Sequence, residues 1–441
     1  MDMKLQLLCG AAKRDITPAD LTGLFALTGK PYAGIIDRLA LRVVWLERGD
    51  QKAMLIGFDL DKAPNPSPWL DEISKMTGVP EENIIYFGTH THSAPLTTVR
   101  PREHDDSTPE SRAAMNAYEE FVKGLLHEAI REAQDNKRPA RMGFAQGESF
   151  INVNRNFDSV YTDPDGNAFP IVSEGICWGV PVDHTLSVTE FVQEDGTPIA
   201  FFVNFPVHCC LMFLNYYDQN GSMGISGDLA GNISALLEKK YAGAVALWSS
   251  GAAGDINPAL FNGVIYPDPE DGRIIMERFK DWHFTKQLLD MLVGIHYRDV
   301  LAVIDRIDSF YECSGIKGAI EWSQTESLVE NDPYCIRLHL LRIGDVAFYG
   351  IGGELYNSFG CLIKEHASLR KTMIINHEAS LINDAGYILD DDALERARKE
   401  APVRHFIPGQ DSRSAAGTVA PSLLKHTESL YQKVLSDNDS F

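Results

Sequence analysis

The order of apolar strands and amphipathic helices along the chain is the feature that most limits its fold. Two β-rich runs at residues 39–61, LALRVVWLERGDQKAMLIGFDLD, flank a turn at residues 48–50. The next segment, SPWLDEISKMTGVP, has apolar residues at helical spacing and ends at Gly78 and Pro80, and the strand-like run NIIYF follows it. This order of strand, helix and strand predicts an α/β fold of mixed β-sheets with flanking helices.

The later part of the chain continues this alternation, without an internal repeat or a low-complexity linker. The predicted elements are a polar insertion at 101–112, a helix at 113–136, a hairpin turning at 195–196 whose second strand ends at His208, a helix capped by Ser226 or Asp228, a strand at 244–250, a hairpin turning at 344–345 and a helix beginning at Glu354. A length of 441 residues allows one large α/β unit or two or three domains.

Polar side chains stand just after several of the apolar strands. They are His90, His92, His208, Asp255 and Glu354. Ligands of open α/β sheets bind beyond the carboxyl ends of the strands, so we expect these side chains to meet there. Two or three imidazoles and a carboxylate suit a catalytic zinc site, whereas each residue alone is equally explained by a hydrogen bond at a strand end. The set predicts a metal cleft at the carboxyl ends of the strands.

The segment THTHSAP places two of these histidines one residue apart. In an extended chain residues i and i+2 point to the same side, so His90 and His92 are expected to converge. The alternative is that one ring caps the strand end by hydrogen bonding while the other faces solvent.

Charge and cysteine content exclude several functions. The chain has 40 basic and 62 acidic residues and a net charge of −22, which disfavours nucleic acid and anionic membrane surfaces as partners. Because the first residues do not form a convincing signal peptide, we expect a cytoplasmic protein that acts on a small molecule. The seven cysteines have no paired spacing and are expected to be free thiols, including Cys209 and Cys210 beside His208.

Eight short motifs between about Gly10 and about Leu389 resemble, in their order, those of the neutral, non-lysosomal ceramidase family. The motifs are GAAKRDITP, THTHSAP, NVNRN, FPVH, SGDLAG, GAAGDINP, GGEL and NDAGYI. The resemblance is to the amino-terminal catalytic domain of that family. It implies one catalytic domain over residues 1–441, without the carboxy-terminal β-sandwich of true ceramidases.

The resemblance also implies a ligand set and roles for neighbouring residues. In the family one zinc ion is held by two histidines, a glutamate and a tyrosine, which correspond here to His90, His208, Glu354 and Tyr387. His92 corresponds to a histidine beside the metal or on the oxyanion side. Arg155 of NVNRN resembles the family's substrate-contacting arginine.

One position departs from the family pattern. Ceramidases carry a serine in a G-D-x-S-P segment that is usually assigned as the nucleophile, but here GDINP has Asn257 in its place. An amide cannot act as that nucleophile, so the serine mechanism does not transfer. Asn257 is either a hydrogen-bond donor to a developing oxyanion or a turn residue before Pro258. Proton transfer is left to His92 or Asp255.

These features predict a zinc-dependent hydrolase that cleaves an amide or ester bond of a small soluble substrate with metal-activated water. A second interpretation keeps the metal but changes the reaction, to a phosphoesterase or a lyase. A third is a non-catalytic module that binds a metal or a ligand in the cleft.

Overall fold

The computed structural model describes residues 6–97, 108–268, 274–329, 332–380, 385–400 and 412–435, together with residues 382, 405, 407 and 409. The helices in this part are α1 (Pro66–Thr77), α2 (Pro109–Asp135), α3 (Asp228–Lys240), α4 (Trp282–Ile304), α5 (Asn357–His366), α6 (Asp391–Ala397) and α7 (Val419–Leu435). The strands up to the middle of the chain are β1 (Leu7–Asp15), β2 (Tyr32–Ile35), β3 (Ala40–Arg48), β4 (Gln51–Phe58), β5 (Ile84–Gly88), β6 (Arg138–Pro139), β7 (Arg141–Glu148), β8 (Asn152–Thr162), β9 (Ala168–Cys177), β10 (Thr185–Val192) and β11 (Pro198–Phe205). The remaining strands are β12 (Met223–Ile225), β13 (Val245–Ser250), β14 (Ile256–Pro258), β15 (Gly263–Pro267), β16 (Ile274–Arg278), β17 (Ile316–Thr325), β18 (Tyr334–Ile343), β19 (Val346–Ile351), β20 (Glu354–Leu355), β21 (Lys371–Ile375) and β22 (Tyr387–Ile388).

Three large mixed sheets dominate the architecture. Their strand orders are β5-β4-β3-β1-β6, β13-β11-β10-β7 and β17-β18-β19-β21. Each contains one parallel pair at an edge, namely β4 with β5, β11 with β13 and β19 with β21, and the other pairs are antiparallel. The predicted α/β class with mixed sheets and flanking helices is therefore confirmed.

Each large sheet is formed by the same path of the chain. Three successive antiparallel strands are followed by a helix and then by an edge strand parallel to the third. The first unit uses β1, β3, β4, α1 and β5; the second uses β7, β10, β11, α3 and β13; the third uses β17, β18, β19, α5 and β21. The sequence shows no internal repeat, and what the three units share is their connections and strand order.

The inner faces of the three sheets share one apolar core. Phe202 of β11 lies between Phe87 of β5 and Phe348 of β19, with ring centroids 5.7 and 5.0 Å apart. Helices cover the outer faces: α1 and α2 pack on the first sheet, α3 and α4 on the second, and α5 and α7 on the third. This layering brings the carboxyl ends of the parallel edge pairs from three sheets near one another.

Most predicted elements are present, and one boundary that matters was wrong. Glu354 does not begin a helix, since it starts β20, where its amide donates a hydrogen bond to Gly386 O at 2.8 Å. Helix α5 begins at Asn357. The competing parallel pairing with β22 keeps Glu354 in an extended conformation.

Three smaller differences concern segment ends. Residues 101–107 of the predicted polar insertion lie outside the described residues, and its last four residues belong to α2, which begins at Pro109. The strand expected to end at His208 ends at Phe205. Neither expected residue is the N-cap of α3, a position that Gly227 holds without a side-chain cap. Ser226 Oγ accepts a hydrogen bond from the amide of Asp228 at 3.0 Å, and Asp228 Oδ1 accepts one from the amide of Leu229 at 2.7 Å.

Two further expectations can be compared with the structure. All seven cysteines are free thiols, as expected. No helix in the described part of the chain is long and apolar enough to cross a membrane.

Candidate metal centre

Three of the predicted ligands meet where the first, second and third units come together. His90 follows β5, His208 follows β11, and Glu354 starts β20 directly after β19. Glu354 Oε2 lies 3.3 Å from His208 Nε2 and 3.5 Å from His90 Nε2. All three side chains are buried. The convergence expected from their positions at strand ends is therefore observed.

The hydrogen bonds of the two imidazoles decide where their protons lie. His90 Nδ1 donates to Asp61 O at 3.0 Å, and His208 Nδ1 donates to Ile256 O at 3.1 Å. Because a carbonyl oxygen only accepts, each Nδ1 carries a proton, and each Nε2 is the nitrogen left to offer a lone pair to a metal beside the Glu354 carboxylate. Acceptors this close repel one another unless a proton or a metal cation lies among them. Two nitrogens and a carboxylate are donors that zinc prefers, so the residues fit a metal ion.

The ionisation of the cluster follows from burial and charge. Burial alone lowers the pKa of His90, but the Glu354 and Asp61 carboxylates raise it to about 9. Burial and the Arg155 guanidinium lower the pKa of His208 to about 4. Burial opposes ionisation of Glu354, yet His90 and His208 hold the pKa of its carboxyl well below its ordinary value. Without a metal, the cluster thus keeps one proton on His90, which a bound cation would displace.

His92 joins the cluster by a route that the sequence did not predict. His92 Nε2 lies 3.0 Å from His90 Nε2, and the ligand atoms of His90, His92 and His208 all lie within 4.8 Å of one another. However, β5 has ended at Gly88, and His90 has a left-handed φ of +63°. The two rings converge through a tight turn and not through the alternation of an extended strand, so the expected convergence is right and its stated cause was wrong.

Tyr387 reaches the centre through β22. It lies directly opposite Glu354 in the parallel β20–β22 ladder, and its ring stacks near His208 with centroids 6.4 Å apart. Arg155 Nη2 donates to Tyr387 Oη at 3.2 Å. The four residues expected as ligands are therefore all brought to one place, whereas their binding of a metal stays a prediction.

A small sheet holds the residues next to Tyr387. Arg155 is on β8, Glu174 on β9 and Asn257 on β14, and these strands form the β14-β8-β9 sheet. Asn257 Nδ2 donates to Glu174 Oε1 at 2.7 Å, and Asn257 Oδ1 accepts from Arg155 Nη1 at 3.3 Å. Arg155 Nη2 also donates to Gly254 O at 2.5 Å. Asn257 therefore belongs to a buried polar network and is more than a turn residue.

Arg155 keeps one donor unused in this network. Its Nε is buried and has no hydrogen-bond partner among the described residues. A buried N–H group without a partner costs about 1–3 kcal/mol, which makes this atom suited to a substrate oxygen. Glu174, which anchors the network, was not identified from the sequence.

Asp255 lies near this network but has a different environment. Its carboxylate accepts hydrogen bonds from Asn154 Nδ2 at 2.7 Å and from the amide of Asn357 at 2.8 Å. Burial raises its pKa to about 6. Both oxygens are thus engaged in joining β8 to the start of α5, and of the two expected proton carriers only His92 contacts the histidine and glutamate cluster.

Sequence reasoning missed His377. This fully buried residue follows β21, and its ring stacks on His90 with centroids 3.7 Å apart and planes 13° apart. Ligand atoms of His90, Glu354 and His377 form a second group within 4.8 Å. The signal was present, because NHEAS follows the apolar run KTMII as THTHSAP follows NIIYFG.

Comparison with known proteins shows a similarity to one protein family. The model for neutral/alkaline non-lysosomal ceramidases, N-terminal, matches residues 68–268, a range that contains His90, His92 and His208. Over these residues the chain is similar to this family. The resemblance drawn from the eight motifs is thereby confirmed.

Curated ceramidases match part of the chain. Neutral ceramidase A of Dictyostelium discoideum is 29% identical over 187 residues, which are 41% of this chain and 23% of that protein. Neutral ceramidase B of the same organism is 27% identical over 187 residues, 40% of this chain and 24% of that protein. The matched region thus spans about a quarter of the length of these relatives.

Solved ceramidase structures share the fold over almost the whole chain. The crystal structure of neutral ceramidase from Pseudomonas aeruginosa has a TM-score of 0.68 at 15% identity and covers 98% of this chain and 74% of that one. A ceramidase complexed with C2 has a TM-score of 0.67 at 15% identity, with 98% and 75% covered. At this identity the similarity establishes the common fold alone.

Proposed function

We propose that the protein is a zinc-dependent hydrolase that cleaves an amide or ester bond of a small soluble substrate with metal-activated water. The observation that carries this proposal is the set of lone pairs at the centre. His90 Nε2 and His208 Nε2 both face Glu354 Oε2, at 3.5 and 3.3 Å, while each Nδ1 donates to a main-chain carbonyl. The ligands we assign are His90, His208, Glu354 and Tyr387.

When bound, zinc would supply an activated water at neutral pH and polarise the scissile carbonyl. The protein's own contribution is to hold this chemistry in position. Asp61 O and Ile256 O fix the tautomers of His90 and His208 through hydrogen bonds of 3.0 and 3.1 Å. Arg155 holds the Tyr387 hydroxyl at 3.2 Å.

The remaining polar groups suit proton transfer and substrate binding. Burial and the neighbouring His90 lower the pKa of His92 well below its ordinary value, so its ring is neutral and able to accept a proton. We assign proton transfer to His92 and not to Asp255. We assign binding of a substrate oxygen to the unused Nε of Arg155 and the amide of Asn257, which belong to the network that contacts the Tyr387 hydroxyl.

The reaction we propose forms no acyl-enzyme, because Asn257 replaces the family serine and cannot attack a carbonyl. A small soluble substrate is favoured over a long-chain lipid for the same reason and because the net charge of −22 repels anionic membrane surfaces. We further propose one catalytic domain, since the three large sheets share one core. We propose the cytoplasm as its location. We also propose that it forms no stable complex with nucleic acid or with a membrane.

Metal analysis combined with a hydrolase screen tests the function. The purified protein is expected to contain close to one zinc ion per chain and to hydrolyse members of a panel of small amides and esters, with activity lost on chelation and restored by zinc. A panel of phosphoesters is screened in parallel. Hydrolysis of phosphoesters alone would favour the phosphoesterase interpretation, and absence of any transition metal after reconstitution would contradict the proposal.

A further inference from the structure

Residues at equivalent positions of the three units meet at the candidate metal centre. In the first unit His90 lies two residues beyond the edge strand β5, which ends at Gly88, and in the third unit His377 lies two residues beyond the edge strand β21, which ends at Ile375. The residue at the same position after β13 is Ala252. His377 is therefore the topological counterpart of His90.

Backbone geometry supports this correspondence. His90 and His377 have left-handed φ values of +63° and +61°, a conformation that few residues other than glycine adopt. The amide of His90 donates to Leu60 O at 2.9 Å, and the amide of His377 donates to Gly353 O at 3.2 Å. Each acceptor lies two residues beyond the third strand of its own unit, β4 or β19.

A second set of positions shows the same relation. Asp61, His208 and Glu354 each lie three residues beyond the third strand of their unit, after β4, β11 and β19. Asp61 contacts His90 Nδ1, while His208 and Glu354 are ligands in the proposed function. The centre is thus formed by equivalent positions of three units, and of these positions His377 is the imidazole with no role assigned so far.

His377 lacks the hydrogen bonds that a buried imidazole requires. Its side chain is fully buried, and neither Nδ1 nor Nε2 has a hydrogen-bond partner among the described residues. An unpaired buried polar atom costs about 1–3 kcal/mol, so buried rings of this kind normally have a partner. The left-handed φ of His377 is also a backbone strain of the kind that is typical of functional sites.

We propose that His377 is a further metal-binding residue of this centre, adding a third imidazole to those of His90 and His208. The proposal rests on the proposed function, because it assumes that the centre holds an ion. Ligand atoms of His90, Glu354 and His377 lie within 4.8 Å of one another, close to the separation that one ion bridges with bonds of about 2.0–2.2 Å.

The stacked arrangement of the two rings defines what binding requires. Planes 13° apart, with centroids at 3.7 Å, keep the lone pairs of His90 and His377 in two nearly parallel planes, which do not meet at one point between the rings. Joint coordination of one ion therefore needs one ring to tilt. His90 is held by Asp61, whereas His377 has no hydrogen bond that resists a rotation of its ring.

Two substitutions separate metal binding from packing. His377→Phe keeps a ring that can stack on His90 but removes both nitrogens, and His377→Gln keeps polarity. The matched control is His296→Gln, at a second fully buried histidine that lies outside the centre. We expect both His377 variants to lose more than about tenfold in zinc affinity, measured by chelator competition, and to alter the absorption bands of the cobalt-loaded protein. The control is expected to match the wild-type protein in both measurements.

X-ray absorption fine structure of the zinc-loaded wild-type protein gives a result that does not depend on how the variants fold. Three imidazoles around the metal would support the proposal, and two would overturn it. If His208→Ala loses zinc while both His377 variants bind it with wild-type affinity, this inference fails and the proposed function stands. If the wild-type protein binds no metal, both fail.

Discussion

Glu354 and Tyr387 lie directly opposite each other in the short parallel ladder formed by β20 and β22. In a parallel ladder paired residues have side chains on the same side of the sheet, so one pairing delivers a carboxylate and a phenol to the same centre. Glu354 comes from the turn after β19, and Tyr387 from a segment well beyond β21. The ladder therefore fixes the two oxygen-bearing side chains relative to each other before any ion is considered.

Removing one proposed nitrogen ligand should remove the metal. We expect His208→Ala to lose most of its zinc, because the remaining ligands rarely compensate for a missing one. Zinc content by elemental analysis of the purified variant checks this. His283→Ala, at an exposed histidine on α4, serves as the control and should retain zinc at the wild-type level. A His208→Ala protein with a full complement of zinc would contradict the assignment.

His90 and His92 should respond differently to substitution. His90→Ala is expected to lose zinc, whereas His92→Ala should keep it while kcat falls by about 10² to 10⁴, the usual contribution of a proton-transfer group. Parallel measurement of zinc content and kcat in the two variants makes the comparison. Equal metal loss in both would mean that His92 is a ligand and that proton transfer belongs elsewhere.

Asn257 should matter through its amide and not as a substitute for serine. Asn257→Ala removes the partner of Glu174 and Arg155, and we expect turnover to fall by about 10² to 10³ with unchanged zinc content. Asn257→Ser should not raise turnover, because the buried polar network is arranged around the larger side chain. Kinetics of both variants and intact mass of the wild-type protein during turnover test this. A trapped acyl-enzyme would refute the water mechanism, and ceramide hydrolysis by the serine variant would revive a sphingolipid substrate.

Gly254 should be intolerant of a methyl group because of where Glu354 lies. A Cβ at Gly254 would sit 2.6 Å from Glu354 O and 3.0 Å from Leu355 O, closer than real Cβ contacts. Gly254→Ala must therefore displace β20, and we expect zinc affinity to fall by more than about tenfold. Gly179→Ala is the control, since nothing lies within 4 Å of a Cβ there. Equal zinc affinities in the two variants, by chelator competition, would show that β20 moves without consequence.

His296 should make the stability of the fold depend on pH. Trp248 Nε1 donates to His296 Nε2 at 3.2 Å, and burial lowers the pKa of His296 to about 3. The unfolded chain binds a proton there near pH 6.5 and the folded chain does not, so the free energy of unfolding decreases as the pH falls from about 6.5 towards 3.

In His296→Gln the side chain can still accept from Trp248 but does not titrate. We therefore expect its loss of stability between pH 7 and pH 5 to be smaller than that of the wild-type protein by about 2 kcal/mol. Urea denaturation of both proteins at the two pH values measures the difference. The same pH dependence in both would show that His296 is already protonated in the folded state at pH 5.

The sequence was sufficient to predict those residues of the candidate centre that stand directly after an apolar strand. His90, His208 and Glu354 each stand after an apolar run, and the packing of the sheets brings these ends together as the α/β pattern requires. Residue type then indicated a metal. Tyr387 was found only through the family resemblance, because its position depends on a two-residue ladder that leaves no periodic signal.

Other features were hidden because they depend on long-range pairing. Glu354 was expected in a helix, and only its pairing with β22 makes it extended. Glu174 lies in the middle of β9, where a charged residue gives no indication of the buried partners it will meet. The three-unit topology could not be read from the sequence either, because the three units have the same connections and strand order but different side chains.

The distribution of the proposed ligands over the three units has a consequence for assembly of the chain. In the proposed function His90 and His208 come from the first and second units, and Glu354 and Tyr387 come from the third unit and the segment that follows it, as does the further proposed ligand His377. An ion held by all of them binds only after the sheets have closed on one another, so its binding energy stabilises the complete fold and no partial one. A fragment that ends before the third unit retains the imidazoles of His90 and His208 but none of the proposed oxygen donors, and it is therefore not expected to hold an ion.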